Sequence, residues 1–303
     1  MTLSVAQHRQ IRLHLAFIPV YVWIIWVWTS YAVNVSPSGR IDRTGHVKGQ
    51  DFTHDYVLGQ IAREHATGDL YNFDAQSRRM DRLFPDYEVR YAPVHGPQLS
   101  LLFAPLARMP YESALWVWLA LSVSGYATCC AVLYGTAPRL RRYAWVVVVL
   151  AIGYPPFYFL IAFGQISVVG LACVTAAYLA FRARRPWLAG LALGTLAYKP
   201  PLGIAIVLVM VYGREWQVLG GAFVAAVVQL AAAAAYYGPT VLVTYADTVG
   251  DATQIASVFE PILHRMQSLR SFFLLLVPLP RVAFAAYVCS AAAVVIAAAR
   301  YWT

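Results

Sequence analysis

The chain has 303 residues, of which 60% are hydrophobic and only 12% are charged, and its formal net charge is +9. Soluble domains carry about 25% charged residues, so this composition excludes an ordinary soluble protein. The arginines cluster beside apolar blocks, which favours anchoring at the cytoplasmic face of a membrane over a nucleic-acid partner.

Charge-free apolar blocks along the chain predict helices that cross a bilayer, whose core requires about 17–25 residues. The blocks are 16–33, 115–134, 143–161, 166–181, 216–236 and 282–299. We therefore predict an all-α polytopic membrane protein with about eight transmembrane helices, within a range of about seven to ten. The cysteines all fall inside these blocks, so we interpret them as small buried residues rather than disulfide partners or metal ligands.

We predict a single membrane domain over 1–303. Its segments are a first transmembrane helix at 12–35, an outer loop with juxtamembrane helices at 36–110, a transmembrane bundle at 111–236, a second outer loop with a surface helix at 237–280, and a last transmembrane helix at 281–303. The first helix is too long for a cleavable signal peptide and lacks a small-residue cleavage pattern, so we expect it to be retained. Because short arginine-rich loops face the cytoplasm, the first loop is expected on the outer face of a bacterial inner membrane.

Two apolar segments do not fit a simple count of spans. Segment 98–107 is only about ten residues long, too short to cross a bilayer, and prolines flank and interrupt it. We interpret it as a surface helix, with a short true span as the alternative. Segment 187–213 is split by Lys199 and two prolines, which cannot continue a helix. It is a short hairpin or a kinked helix, and the flanking arginines favour the hairpin, which places Lys199 outside.

The acidic residues lie mostly in the first loop, with the others in the second loop or at span ends, and none in the middle of a predicted span. Pumps and ion-coupled transporters commonly place ionisable groups at the membrane midplane. This distribution therefore argues against transport and indicates that the polar chemistry is concentrated on one face.

Asp51 is the first candidate for chemistry. If 52–66 is helical, Asp51 lies at the N-cap or just before it, which suits an aspartate, and Asp55 follows one turn later. A carboxylate held at a helix start near the membrane surface is well placed to act as a general base. A purely capping role for Asp51 is the alternative.

A series of different short motifs lies along residues 51–269. They are Asp51-Phe52, Gly68-Asp69-Leu70-Tyr71, Tyr91-Ala92-Pro93, Pro97, Phe103-Ala104-Pro105-Leu106, Gly164-Gln165, Ala189-Gly190, Leu193-Gly194, Lys199-Pro200 and Gln267-Ser268-Leu269. In order and spacing they resemble glycosyltransferase family 87, the polyprenol-phosphate-mannose-dependent mannosyltransferases of the GT-C superfamily. Met266 stands where the family more often has Asn, and the chain is short for the family, so we expect a truncated or minimal member.

The resemblance implies a GT-C-like fold with short surface helices in the first outer loop. It implies an inverting transfer of a hexose, most simply mannose, from a polyprenyl-phosphate donor to a lipid-linked or glycan acceptor at the non-cytoplasmic face. By matching position it implies that Asp51 is the catalytic base. Because a sugar phosphate already has a good leaving group, the reaction needs a base for the acceptor hydroxyl and cationic groups for the departing phosphate.

Candidate ligands for the donor phosphate at the outer face are Lys199, His264 and Arg265. Lys199 at a membrane boundary has the alternative of extending its ammonium to water, and His264 that of a solvated loop histidine. Candidate residues for binding acceptor or donor are His54, Asp55, His95, Gln165 and Gln267.

No cofactor is expected beyond the lipid-linked sugar donor. The first-loop histidines His46, His54 and His65 lack a reliable metal-ligand spacing, so a metal site is not indicated. Two other classes stay open at this point: a lipid or polysaccharide transporter, and a non-catalytic subunit of an envelope-assembly complex. The expected partners are the membrane, the polyprenyl-phosphate sugar and the acceptor, and not nucleic acid.

Overall fold

The structure is a computed structural model that describes residues 5–254 and 268–302. Within these ranges the chain is almost entirely helical and has no strand, apart from an isolated antiparallel bridge between Ile41 and Val47. The predicted all-α class is confirmed for this part of the chain.

The α-helices range in length from 6 residues to 25 residues. In chain order they are α1 (Val5–Ala16), α2 (Ile18–Val35), α3 (Gln50–Arg63), α4 (Phe73–Leu83), α5 (Gln98–Phe103), α6 (Tyr111–Gly135), α7 (Ala144–Gly153), α8 (Pro155–Ala162), α9 (Ser167–Arg182), α10 (Pro186–Gly194), α11 (Pro200–Tyr212), α12 (Trp216–Tyr237), α13 (Thr240–Gln254), α14 (Leu269–Leu276) and α15 (Pro280–Trp302). Short 3-10 helices lie at Thr67–Asp69, Leu106–Arg108, Pro138–Tyr143 and Thr195–Tyr198.

Several described helices are long and apolar enough to cross a membrane. Four pass by length and composition: Ile18–Val35, Tyr111–Gly135, Trp216–Tyr237 and Pro280–Tyr301. A fifth is obtained if Pro138–Gly153 and Pro155–Ala162, which are bent by 45°, form one span. The expected count of about eight is not confirmed, because the apolar blocks at 143–161 and 187–213 are broken into shorter helices.

The chain forms two compact units, and each is described by itself. The first comprises Met1–Tyr56 and Leu106–Ala172. Here α2 packs against α7, and the indole N–H groups of Trp23 and Trp28 donate to the carbonyls of Gly153 and Ile152 at 3.1 and 3.2 Å. These bonds satisfy carbonyl groups at the end of α7, which have no partner within that helix.

The second unit comprises Val57–Pro105 and Cys173–Thr303, and within it α10 packs against α12. Gly190 and Gly194 lie four residues apart on α10, and a Cβ atom on either would approach a carbonyl oxygen of α12 to 2.1 or 2.3 Å. Small residues at this spacing let two helix backbones approach closely in a membrane. This contact gives a packing reason for the Ala189-Gly190 and Leu193-Gly194 motifs.

Element boundaries agree with the sequence in two places and differ in two. A short helix forms at Gln98–Phe103, and the helical path is broken at Lys199 before α11 begins, both as predicted. The helix expected over 52–66 begins earlier, at Gln50, and ends at Arg63. Segment 237–280, expected to hold the second outer loop and a surface helix, contains a helix of 15 residues, Thr240–Gln254.

Candidate active site

Asp51 lies in the first turn of α3 rather than at the cap position before it. Its side chain is partly exposed, whereas Phe52 and Thr53 behind it are fully buried. The backbone amides of Asp51 and Phe52 donate to the carbonyl oxygen of Phe163 at 2.9 and 3.2 Å. A first-turn amide has no partner within its own helix, so these two bonds attach the start of α3 to the end of α8.

The end of α8 has the geometry of a Schellman motif. Gly164 has φ +66, and the amide of Gln165 donates to the carbonyl of Leu160 at 3.0 Å. A left-handed residue at this position is most easily a glycine. A Cβ atom on Gly164 would also lie 2.8 Å from the Cβ of Phe52. The Gly164-Gln165 motif therefore ends α8 and allows close contact with the helix that carries Asp51.

A buried group of hydroxyls holds the same helix start from its other side. The Tyr111 hydroxyl donates to the carbonyl of Lys48 at 2.6 Å, and it lies 2.8 Å from the Thr53 hydroxyl. The indole N–H of Trp118 donates to the carbonyl of Gly164 at 2.9 Å. Buried polar groups are costly unless hydrogen-bonded, so this network fixes the backbone around Asp51.

The loop that leads to Asp51 is closed by its own polar side chains. The buried Lys48 donates from Nζ to the carbonyls of Pro37 and Gly39. The Asp42 carboxylate accepts from the amide and hydroxyl of Thr44 at 2.8 and 2.7 Å. The loop is thus ordered by local bonds, and Lys48 supports its backbone instead of presenting a charge to a ligand.

His54 and Asp55 follow Asp51 on α3, and each is only 3% exposed. Burial on this scale leaves little of either side chain available to a substrate in this conformation. Their proposed contact with the acceptor stays a prediction. Of the three candidates on α3, Asp51 is the one whose side chain reaches the surface.

In the second unit the structure brings His95 and Lys199 together. Burial lowers the pKa of His95 from its ordinary value of 6.5 to about 4, and the positive charge of Lys199 contributes to the same shift. The imidazole is therefore neutral near pH 7. Lys199 is exposed and carries the positive charge of this pair, and the Tyr71 hydroxyl donates to the carbonyl of His95 at 3.1 Å.

An apolar cleft of about 470 Å³ is lined by residues that precede and follow Lys199 in the sequence. Leu196 and Ala197 line it on one side, and Ile204, Val207 and Phe223 are among the residues that complete it. Such a cleft accepts hydrocarbon, because apolar surface is favourably removed from water. The exposed Lys199 and several residues that line the apolar cleft are therefore close in sequence.

Of the other predicted site residues, Gln165 is partly exposed, and its side-chain oxygen accepts from the hydroxyl of Ser167 at 3.3 Å. His264, Arg265 and Gln267 lie outside the described residues. The contributions of Lys48 and Tyr111 were not predicted from the sequence. Nothing in the local sequence separates Tyr111 from any other aromatic residue at the end of a span, because its partners are distant in sequence.

A partly exposed carboxylate lies at the start of α3, and the long apolar helices indicate a membrane protein. Comparison with family models identifies it further: the model of Glycosyltransferase family 87 matches residues 94–303, more than two thirds of the chain. The chain belongs to glycosyltransferase family 87 and is a membrane glycosyltransferase, as the motif order predicted. No curated protein and no solved structure matches it.

The matched region contains His95, Gln165 and Lys199 but begins after the segment that carries Asp51. The family assignment therefore rests on the later motifs. The predicted role of Asp51 as catalytic base is not tested by this match and rests on its position at the start of α3 and on the resemblance of the first loop.

Proposed function

We propose that the chain transfers a hexose, most simply mannose, from a polyprenyl-phosphate donor to a lipid-linked or glycan acceptor. We place the reaction at the non-cytoplasmic face of a bacterial inner membrane, with inversion at the sugar carbon. The observation that carries this proposal is the partly exposed Asp51, held in the first turn of α3 by the bonds of its neighbours to Phe163. Membership of the glycosyltransferase family supports the transfer of a sugar.

Asp51 acts as the general base in this reaction. Its carboxylate takes the proton of the acceptor hydroxyl while that oxygen forms a bond to the anomeric carbon of the donor. The bond from that carbon to the phosphate oxygen breaks, and the polyprenyl phosphate leaves with the electron pair. The partial positive charge at a helix N-terminus stabilises the carboxylate that starts this step, and proton removal by a positioned base contributes about 10²–10⁴-fold to the rate.

Lys199 binds the phosphate of the donor. The neutral His95 supplies no charge near pH 7, so the ammonium of Lys199 is the cation available in this pair. The apolar cleft that Leu196 and Ala197 help to line takes part of the polyprenyl chain. A lipid phosphate has one charged end and one apolar end, and this stretch of the chain offers a matching group for each.

The proposal is tested by incubating purified protein with radiolabelled polyprenyl-phosphate-mannose and membrane lipids and identifying the labelled product. Asp51→Asn keeps the shape of the side chain but removes the base. We expect it to lower transfer by about 10²–10⁴-fold with unchanged expression and melting temperature. Glu112→Gln is the matched control, because Glu112 is an exposed acidic residue in the first turn of α6, and we expect it to keep the wild-type rate.

Full transfer by Asp51→Asn would refute the assignment of the base. Absence of transfer from every polyprenyl-phosphate sugar tried would favour a transporter or a non-catalytic assembly subunit. If the protein transfers glucose or galactose but not mannose, the proposed hexosyltransferase reaction stands and the proposed sugar is wrong.

A further inference from the structure

A second cleft, unlike the one lined by Leu196 and Ala197, lies within the second unit. It has a volume of about 560 Å³ and lies between the segment from Thr67 to Phe73 and the first turns of α13. Sites for small molecules commonly have volumes of about 300–1,000 Å³. The two clefts share no lining residue.

The side chains that line this cleft combine hydroxyl groups with an exposed aromatic ring. Thr67, Thr240 and Thr244 contribute the hydroxyls, and Phe73 is 47% exposed at the cleft. The Thr244 hydroxyl donates to the carbonyl of Thr240 at 3.1 Å, so its lone pairs are left to accept from a ligand. Large exposed aromatic side chains at a cleft are characteristic of binding surfaces.

Charge distinguishes this cleft from a phosphate site. Within the described residues, no lysine, arginine or histidine lines it. Asp74 follows Phe73 directly, Asp247 follows Thr244 by one turn of α13, and both aspartates are exposed. Negative charges nearby repel phosphate, whereas a neutral polyhydroxylated ring suffers no such penalty.

The segment from Thr67 to Phe73, which forms one wall of the cleft, is stabilised by an ion pair and by hydrogen bonds to α4. Arg79 pairs with Asp69 at 2.6 Å, and the Gln76 side chain donates to the carbonyl of Leu70 at 2.6 Å. Asn72 caps α4 by accepting from the amide of Ala75 at 3.0 Å. A preformed site binds more tightly because less freedom is lost on binding.

Tyr71, which lines the cleft, packs against Tyr245 of α13. Their rings lie 5.6 Å apart with an interplanar angle of 34°. Burial raises the pKa of Tyr71, so its hydroxyl stays protonated and continues to donate to the carbonyl of His95. This aromatic pair joins the wall of the cleft to α13.

We infer that this cleft binds a neutral sugar ring of the acceptor glycan, with the ring face against Phe73 and sugar hydroxyls bonded to Thr244 and the neighbouring threonines. A sugar ring has an apolar face of C–H groups and an edge of hydroxyls, and the cleft offers an aromatic surface and hydroxyls to match. The donor is a phosphate ester, so the uncharged lining favours the acceptor instead. This inference rests on the proposed function and adds the class of group that the acceptor presents.

Binding is measured by saturation-transfer NMR on purified full-length protein in detergent micelles. The probes are the methyl glycosides of α-mannose, β-glucose and β-galactose. With the wild-type protein we expect saturation to be transferred to the ring protons of at least one of these glycosides. Phe73→Leu and Thr244→Val should each weaken binding by about three- to tenfold, the scale of one aromatic contact or one hydrogen bond.

Two matched variants separate binding from general damage. The Thr248 hydroxyl donates to the carbonyl of Thr244 at 2.7 Å, as that of Thr244 donates to Thr240, but Thr248 does not line the cleft. Thr248→Val should therefore bind as the wild type does, and Phe73→Tyr, which keeps the ring, should retain binding that Phe73→Leu loses. If Phe73→Leu does not fold, the comparison of Thr244→Val with Thr248→Val decides alone.

Asp51→Asn separates this inference from the proposed function, because it should bind the glycoside normally while losing sugar transfer. Binding in Asp51→Asn and the wild type supports the cleft even if no sugar transfer is ever detected. No saturation transfer to any probe, equal signals in Thr244→Val and Thr248→Val, or displacement of the glycoside by inorganic phosphate would overturn the inference.

Discussion

The backbone amide of Asp51 donates a hydrogen bond to the carbonyl oxygen of Phe163 at 2.9 Å. Phe163 immediately precedes Gly164, whose positive φ ends α8. The position of the proposed base is therefore fixed by a turn more than a hundred residues further along the chain. This relationship makes the Gly-Gln motif a determinant of the site even without a direct role in the chemistry.

Gly164→Ala should displace the start of α3 and lower both stability and sugar transfer. The new Cβ would lie 2.8 Å from the Cβ of Phe52 at a φ of +66, which adds a clash to the backbone strain of about 1–3 kcal/mol. Gly45→Ala is the control, because Gly45 also has a positive φ but no atom within 4 Å of the new Cβ. Melting temperatures and transfer rates compare the two, and a smaller loss in Gly164→Ala than in Gly45→Ala would contradict the prediction.

Features of local sequence were predicted correctly, and features made by distant contacts were not. The all-helical class, the break at Lys199 and the short helix at Gln98 follow from hydropathy and from proline, which act within a few residues. The family followed from the order of motifs. The expected number of spans is not confirmed, because hydropathy shows neither that the block at 143–161 bends by 45° near Tyr154 nor that α9 is only 16 residues long.

In the candidate site, too, local features were predicted and features made by distant contacts were not. Asp51 was located from its position at a helix start, and the structure places it within the first turn. The burial of His54 and Asp55 was not foreseen, because α3 carries polar residues on the side that packs inward. Phe73 and Thr244 meet at one cleft although they are far apart in sequence, and no local pattern predicts that meeting.

Protein stability should decrease as the pH falls from about 6.5 to about 4, in part through His95. The folded-state pKa is about 4 and the ordinary value is 6.5, so between these values the unfolded chain binds a proton that the folded protein does not. Protonation then favours unfolding, whereas above pH 6.5 His95 contributes no pH dependence. Thermal unfolding across this range should show a smaller slope for His95→Gln than for the wild type. Equal slopes in His95→Gln and the wild type would refute the assignment.

Arg79→Gln should destabilise the segment from Thr67 to Phe73. The Arg79 guanidinium bonds to Glu64 and Asp69 at 2.6 Å each. Because the Glu64 side chain is 55% exposed, solvent screening limits the expected loss to about 1 kcal/mol. Faster proteolysis of this segment and a lower melting temperature are the readouts. Arg78→Gln is the control, since Arg78 is the exposed neighbour, and an equal loss in that variant would show that general surface charge is responsible.

Lys199→Gln should raise the KM for the polyprenyl-phosphate donor more than it lowers kcat. The removed ammonium binds the donor phosphate in the proposed mechanism, and charged hydrogen bonds contribute about 1.5–3 kcal/mol, or roughly a 10- to 150-fold change in affinity. Lys199→Arg should retain part of the binding, because the charge remains. Steady-state kinetics with varied donor give both constants. Arg108→Gln removes an exposed charge elsewhere and should leave the KM unchanged, whereas a wild-type KM in Lys199→Gln would exclude the phosphate contact.

Gly190→Ala should weaken the packing of α10 against α12. The added Cβ would lie 2.1 Å from the carbonyl oxygen of Val218, a backbone atom that cannot rotate away as a side chain can. The helices must then separate, at a cost of about 1–3 kcal/mol for an overpacked interface, and the melting temperature should fall. Gly250→Ala is the matched control within a helix, because a Cβ there meets nothing within 4 Å, and alanine is favoured over glycine in helices by about 1 kcal/mol. The two substitutions should therefore shift the melting temperature in opposite directions, and an unchanged or higher melting temperature for Gly190→Ala would show that α10 and α12 adapt without loss.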